Sequence, residues 1–228
     1  GELFDFLAAN GGHAFVPADD EILTGMAAER DSLAAEYYSA SLADGIENHL
    51  EGSYNRFNIA AAVAVGRYFD VPDERIRHAI AGYVPDNNRS QRIGTSRNTL
   101  VADCYNANPV SMGASLDVLK CALGHTVALL GDMGELGADE AKLHYGVGVH
   151  AAENGIQKIV CVGALSKHMA AGARSVAKES QEVVYFPAIE DLLEHLGTIV
   201  QPGDTVLVKA SHFMHFEKVV EALRLMGN

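Results

Sequence analysis

From Asn98 onward the chain alternates between short apolar runs of strand length and longer stretches with helical periodicity. The runs are Asn98–Asp103, Thr126–Leu130, Lys158–Val162, Val183–Phe186 and Thr205–Val208. Between and after them lie helical patterns at Ser111–Cys121, Glu140–Asn154, Ser166–Lys178, Ile189–Ile199 and Phe216–Leu225. A strand apolar on both faces needs helices above and below it. Successive parallel strands in turn need a crossover long enough to be a helix. The pattern therefore predicts an α/β fold: a Rossmann-like, mostly parallel sheet covered by helices. Arg92–Thr95 and Asn98–Asp103 read as a hairpin turning at Ser96-Arg97 and leading into that sheet.

The first 90 residues are less regular. Leu3–Ala9 reads as a helix, Ala14–Val16 as a short strand, Asp19-Asp20 as a turn and Glu21–Glu29 as a helix. Tyr37–Leu42 and Asn48–Leu50 are strand candidates. Asn55–Tyr68, built of small apolar residues, is a helix buried on most sides. Val71-Pro72-Asp73-Glu74 starts another, with proline in the first turn and acids at the positive end of the dipole. Gly82–Gln91 breaks into glycine, proline and polar residues, which sets the expected domain boundary at 90/91 and gives domains 1–90 and 91–228.

A chain of 228 residues holds one large or two modest domains. Its formal net charge of −13 argues against a nucleic-acid or anionic-lipid surface. The acidity is concentrated early: residues 1–90 hold 15 Asp and Glu against 6 Arg and no Lys. The longest purely apolar run, Ile59–Val65, is too short to span a bilayer, so no membrane insertion is expected. Cys104, Cys121 and Cys161 lack metal-ligand spacing and read as reduced thiols of a cytoplasmic protein.

Three blocks carry chemistry. The first is Asp103-Cys-Tyr105-Asn106-Ala-Asn108-Pro109, an acid, a phenol and two amides at the carboxyl end of a strand, where open α/β sheets bind ligands. Without further context it is also a plain asparagine-rich strand-to-helix turn. The second is Gly52-Ser53-Tyr54-Asn55-Arg-Phe-Asn58-Ile-Ala-Ala-Ala. Its two asparagines share a helix face three residues apart. Ser53 or Asn55 can cap that helix, whereas Asn58, inside it, has poor propensity and needs another reason. The third is Gly131-Asp132-Met-Gly-Glu135-Leu-Gly137. Asp132 and Glu135 can orient an ammonium, stand behind a metal, or cap the following helix, and His144 beyond them reads as either packed or functional. Lys209 and Ser211 end the last strand, where a cation and a hydroxyl suit a carboxylate. Arg89 lies in the interdomain stretch, as a solvated charge or a bridge. Gly146-Val-Gly148 is a G-x-G inside a helix pattern and a weak phosphate signal. The ten histidines show no zinc-site spacing, so no metal site is expected, and Ser111, Ser166 and Ser211 lack a nucleophile-elbow context.

These blocks, together with Pro85-Asp-Asn-Asn-Arg89-Ser-Gln91 and Val208-Lys209-Ala-Ser211-His212, resemble the Mur ligase family of peptidoglycan synthesis over nearly the whole chain. The resemblance implies a central ATP-binding domain, represented by its back part at 1–90, followed by a C-terminal Rossmann-like domain at 91–228. It implies ATP and Mg²⁺ as cofactors, and the addition of D-alanyl-D-alanine to UDP-N-acetylmuramoyl-tripeptide through an acyl phosphate by a cytoplasmic, monomeric enzyme. Asn58 would read adenine, Arg89 would contact the nucleotide, and Asp103 would accept both ribose hydroxyls. Asn55, Tyr105, Asn106 and Asn108 would shape the nucleotide-site loop. Asp132, Glu135, Lys209 and Ser211 would face the amine substrate. Two positions depart from the family pattern: Pro17 departs from the Asn-x-Asp-Asp usual there, and His212 stands where an arginine is usual. No segment fits G-x-x-x-x-G-K-[ST] and the first lysine is Lys120, so the chain reads as a fragment whose phosphate loop precedes Gly1, inactive alone. A ligand-binding Rossmann module without ligase chemistry, and a folylpolyglutamate synthase-like ligase, are the alternatives.

Overall fold

In the computed structural model, which describes residues 1–50, 52 and 54–226, the chain divides into two compact units, Gly1–Val84 and Pro85–Asn228. The first unit contains α1 (Glu2–Ala9), β1 (His13–Pro17), α2 (Glu21–Ala28), β2 (Ala34–Tyr38), α3 (Asn55–Tyr68) and α4 (Asp73–Gly82). β1 and β2 pair in parallel, with His13 opposite Ala34 and Pro17 opposite Tyr38. α2 begins where expected because the Asp20 carboxylate accepts a 2.9 Å hydrogen bond from the Leu23 amide.

Two strand expectations in this unit fail. Tyr37–Leu42 is the end of β2 followed by a 3-10 turn at Ala40–Ala43, opened by the Ser39 hydroxyl accepting from the Ser41 amide. Asn48–Leu50 is no strand. The Asn48 side chain donates to the Ile46 carbonyl and accepts from the Leu50 amide, a local bonding pattern that competes with a sheet ladder. The cap expected from Asn55 is also absent: Tyr54 occupies the N-cap without a side-chain capping bond, and Asn55 is the first helical residue. Ser53, the other capping candidate, lies outside the described residues.

The second unit begins with β3 (Gln91–Gly94) and β4 (Thr99–Ala102), the expected antiparallel hairpin. It continues α5 (Pro109–Lys120), β5 (Thr126–Gly131), α6 (Glu140–Glu153), β6 (Lys158–Val162), α7 (Ser166–Val176), β7 (Glu182–Phe186), α8 (Ile189–Ile199), β8 (Thr205–Lys209) and α9 (Glu217–Met226). The strands form one six-stranded sheet in the order β3-β4-β8-β5-β6-β7, parallel except for the β3 edge.

Period-2 alternation splits the core into two layers. Val101, Ala128, Leu130, Ile159, Cys161 and Leu207 point to one face and pack against α5, α6 and α7. Leu100, Ala102, Leu129, Val160, Val206 and Val208 point to the other and pack against α8 and α9. β8 is inserted between β4 and β5. The chain therefore leaves β8 toward one face of the sheet and leaves β4 and β5 toward the other. That divergence opens a crevice beyond the carboxyl ends of these three strands, the topological switch point of such sheets.

α6 and α7 approach closely enough that a Cβ on Gly148 would stand 1.8 Å from the Met169 carbonyl oxygen, and one on Gly172 2.1 Å from that of Tyr145. Within Gly146-Val-Gly148 it is thus Gly148 that serves helix packing, while a Cβ on Gly146 would meet nothing. Among the described residues no helix is long and apolar enough to cross a membrane.

Candidate functional site

The switch-point crevice gathers the ends of β4, β8 and β5. The parallel ladder pairs Ala102 with Val208, and the Asp103 amide donates to the Val208 carbonyl at 2.9 Å. The next residues along the two strands, Asp103 and Lys209, therefore emerge side by side. Lys209 Nζ lies 2.5 Å from Asp103 Oδ2 and 3.3 Å from the Asn106 carbonyl oxygen. The lysine is 1% exposed. An ammonium this deep must be paired and hydrogen-bonded, and the loop after the neighbouring strand supplies both partners.

Asp103 has two further donors. The Ser115 hydroxyl, on α5, donates to Oδ2 at 2.8 Å, and the Ser90 amide donates to Oδ1 at 3.0 Å. This corrects two expectations. Lys209 is not an open cation awaiting a substrate carboxylate, because its charge is already matched by Asp103. Asp103 does not present two unengaged oxygens. Ser115 and the Ser90 amide were not singled out by the sequence. They reach Asp103 from an interior helix turn and an irregular segment, with no local signal.

The loop from Asp103 to α5 is held by its own asparagines. The Asn106 side chain accepts from the Ala107 amide at 2.8 Å. Asn108 is the N-cap of α5: its carboxamide accepts from the Ser111 amide at 2.8 Å while the Ser111 hydroxyl accepts from the Asn108 amide at 3.1 Å, a reciprocal capping box followed by proline at N1. Tyr105 is half exposed. The Arg89 guanidinium lies 3.6 Å from its ring centroid, and the His212 ring stacks on it at 5.6 Å and 29°. Arg89 is thus an exposed cation–π partner of Tyr105. His212, where an arginine is usual, joins an exposed aromatic stack.

The loop after β5 is equally tied down. Asp132 is buried and accepts from the Leu165 amide at 3.1 Å and from the Ser166 amide and hydroxyl at 2.7 and 2.6 Å. It does cap a helix, but α7 rather than the α6 that follows it, so its carboxylate is engaged by the start of α7. Gly163 is at φ +119°, and a Cβ there would stand 2.6 Å from that carboxylate. The Met133 amide donates to His144 Nε2 at 2.9 Å, and His144 Nδ1 lies 2.7 Å from the Glu140 carbonyl oxygen. The histidine is therefore a neutral packed residue with its proton on Nδ1. The Gly134 amide donates to the Ser211 hydroxyl at 2.9 Å, and that hydroxyl donates to the Ala107 carbonyl at 3.3 Å. Ser211 therefore ties the loop after β5 to the loop after β4. Glu135 is exposed and left-handed at φ 60°, so it does not share the environment of Asp132.

Asn58 belongs to the first unit. Its side-chain amide donates to Asn55 Oδ1 at 3.0 Å, with Asn55 buried and Asn58 exposed on α3. Burial raises the thiol pKa of Cys104 to about 11 and of Cys161 to about 12, which makes both inert as nucleophiles at neutral pH.

Comparison with known proteins places the chain in a family. Residues 88–212 match the Mur ligase, glutamate ligase domain family. The chain is 36% identical over 183 residues to a UDP-N-acetylmuramoyl-tripeptide–D-alanyl-D-alanine ligase of Treponema pallidum, covering 77% of this chain and 38% of that protein. It is 31% identical over 186 residues to the enzyme of the same name from Bacillus subtilis, covering 78% of this chain and 40% of that protein. A crystal structure of MurF from Acinetobacter baumannii superposes with a TM-score of 0.79 at 26% identity, covering 94% of this chain and 52% of that one. The chain spans about 40% of the length of the curated relatives it matches. With the family match covering more than half of its residues, the chain belongs to the Mur ligase family.

Proposed function

We propose that this chain is the ribose-binding and amine-side part of an ATP-dependent ligase that joins D-alanyl-D-alanine to UDP-N-acetylmuramoyl-tripeptide. The observation that carries this reading is the similarity, over more than three quarters of the chain, to enzymes bearing that name. In this assignment residues 1–90 are the back part of the ATP-binding domain and residues 91–228 the C-terminal domain. The enzyme works as a cytoplasmic monomer.

A carboxylate is a poor electrophile, and phosphorylation by ATP makes it one. The resulting acyl phosphate is attacked by the dipeptide amine, with phosphate leaving and the ammonium proton lost before attack. Catalysis of this kind is mostly positioning and charge neutralisation. The residues of this chain contribute to positioning. Asp103 accepts a ribose hydroxyl, Tyr105 with Arg89 offers a cationic aromatic face to the nucleotide, and Asn58 reads adenine with its paired amide donor and acceptor. Asn55 orients Asn58, while Asn106 and Asn108 fix the loop that carries Tyr105. On the amine side, Glu135 is exposed and acidic, suited to the ammonium of the dipeptide. Ser211 and Asp132 hold the loop that presents it. Mg²⁺ would neutralise phosphate charge in such a reaction. Among the described residues no three His, Cys, Asp or Glu side chains converge to hold a metal.

The test is ADP release by the complete gene product with UDP-N-acetylmuramoyl-tripeptide, in the presence and absence of D-alanyl-D-alanine. Dipeptide-dependent turnover, with the ATP KM raised about tenfold or more by Asp103→Ala, supports the reading. Turnover indifferent to the dipeptide, or nucleotide binding without turnover, favours a different ligase or a binding module.

A further inference from the structure

We propose that Lys209 is a positioning residue for Asp103, and that together with Ser115 it limits Asp103 to a single ribose hydroxyl. The inference rests on the reading that Asp103 faces the nucleotide ribose, and deepens it. An ionised carboxylate offers about four acceptor sites, two per oxygen. On Oδ2, Lys209 Nζ at 2.5 Å takes one, and the Ser115 hydroxyl at 2.8 Å takes the other, its single proton shared with the Ser111 carbonyl at 3.0 Å. On Oδ1, the Ser90 amide at 3.0 Å occupies one. One site on Oδ1 remains. A bidentate grip on the 2′ and 3′ hydroxyls would need one site on each oxygen, so it would have to displace the lysine or the serine.

Displacing the lysine is unfavourable, because its ammonium is almost fully buried and its other contact is a single backbone carbonyl, that of Asn106, at 3.3 Å. The geometry has a structural origin. Asp103 and Lys209 follow paired residues of adjacent parallel strands, so the backbone ladder fixes their separation. Lys209 and Ser115 together hold the plane of the carboxylate and aim its one open site.

The experiment measures KM and kcat of the complete gene product with ATP, 2′-deoxy-ATP and 3′-deoxy-ATP. The expected result is asymmetric: one deoxynucleotide has a KM raised about tenfold or more with kcat little changed, and in Asp103→Ala this penalty disappears. Lys209→Met, which keeps the length of the stem and removes the charge, is expected to shrink the same penalty to within about twofold, as is Ser115→Ala to a lesser degree. Equal penalties for the two analogues, both abolished by Asp103→Ala, would show a bidentate grip and overturn the proposal. So would an undiminished penalty in folded Lys209→Met. If Lys209→Met does not fold, the wild-type comparison of the two analogues and the Ser115→Ala variant still decide. An ATP KM unchanged by Asp103→Ala overturns the underlying reading instead, a result distinct from the other two.

Discussion

At the scale of single residues, burial sorts the chemistry of this chain more sharply than residue type does. Cys121 is exposed at the end of α5, whereas Cys104 and Cys161 are buried with thiol pKa values of about 11 and 12. At pH 8 a thiol reagent should therefore modify one cysteine quickly, with the other two reacting only as fast as the protein opens; Cys121→Ser should abolish the fast phase. Asp132 and Glu135 make the same point, since one carboxylate is consumed by the N-terminus of α7 and the other is exposed. Asp132→Ala removes acceptors from a buried amide and hydroxyl, both of Ser166, and from the half-buried amide of Leu165. It should cost about 2–3 kcal/mol, read as a lower denaturant midpoint, whereas Glu135→Ala should leave stability within about 0.5 kcal/mol.

At the scale of elements, the α5–α6–α7 layer depends on close approach. Gly148→Ala places a methyl group on the Met169 carbonyl, and the helices can relieve it only by separating. The expected cost is about 3 kcal/mol or more, a fall of roughly 6 °C or more in Tm; Gly146→Ala, where a Cβ meets nothing, should stabilise slightly. α5 and α6 are also joined at the surface, where Asp117 accepts from Asn154 Nδ2 at 2.8 Å and lies 2.8 Å from His150 Nε2. The Asn154 and His150 hydrogen bonds lower the Asp117 pKa. A carboxylate with a depressed folded pKa contributes stability that is fully present above its unfolded value near pH 4 and lost as pH falls through the folded one. Asp117→Asn should therefore flatten the acid limb of the stability profile. The site is half exposed, so the effect at neutral pH should be at most about 0.5 kcal/mol in thermal melts.

At the scale of the whole molecule, Pro85–Asn228 has two apolar layers around a six-stranded sheet and its own closed core. A protein comprising residues 85–228 should melt in one cooperative transition. Shortening it to residues 91–228 removes the Ser90 amide from Asp103 and should lower Tm by a few degrees without abolishing the transition. Loss of cooperativity in the longer protein would mean that the first unit completes its core.

The sequence alone determined the elements of this unit, because strand and helix periodicities are local properties: strands at 126–130, 158–162 and 205–208 and helices from 140 and 189 lie where the pattern puts them. The same periodicity placed Asp103, Asp132 and Lys209 at strand ends. It failed around residues 37–50, where Asn48 and Ser39 bond to nearby backbone and displace a ladder that apolar patterning suggested. What the tertiary structure alone decided is which strand ends meet. β8 inserts between β4 and β5, and that order sets Lys209 against Asp103, 106 residues away along the chain. The same closure turned Asp132 toward a helix start 34 residues later and spent it as a cap. Periodicity carries no information about strand order. Residues that read as separate nucleotide and amine sites thus became, through one parallel ladder, a single buried ion pair.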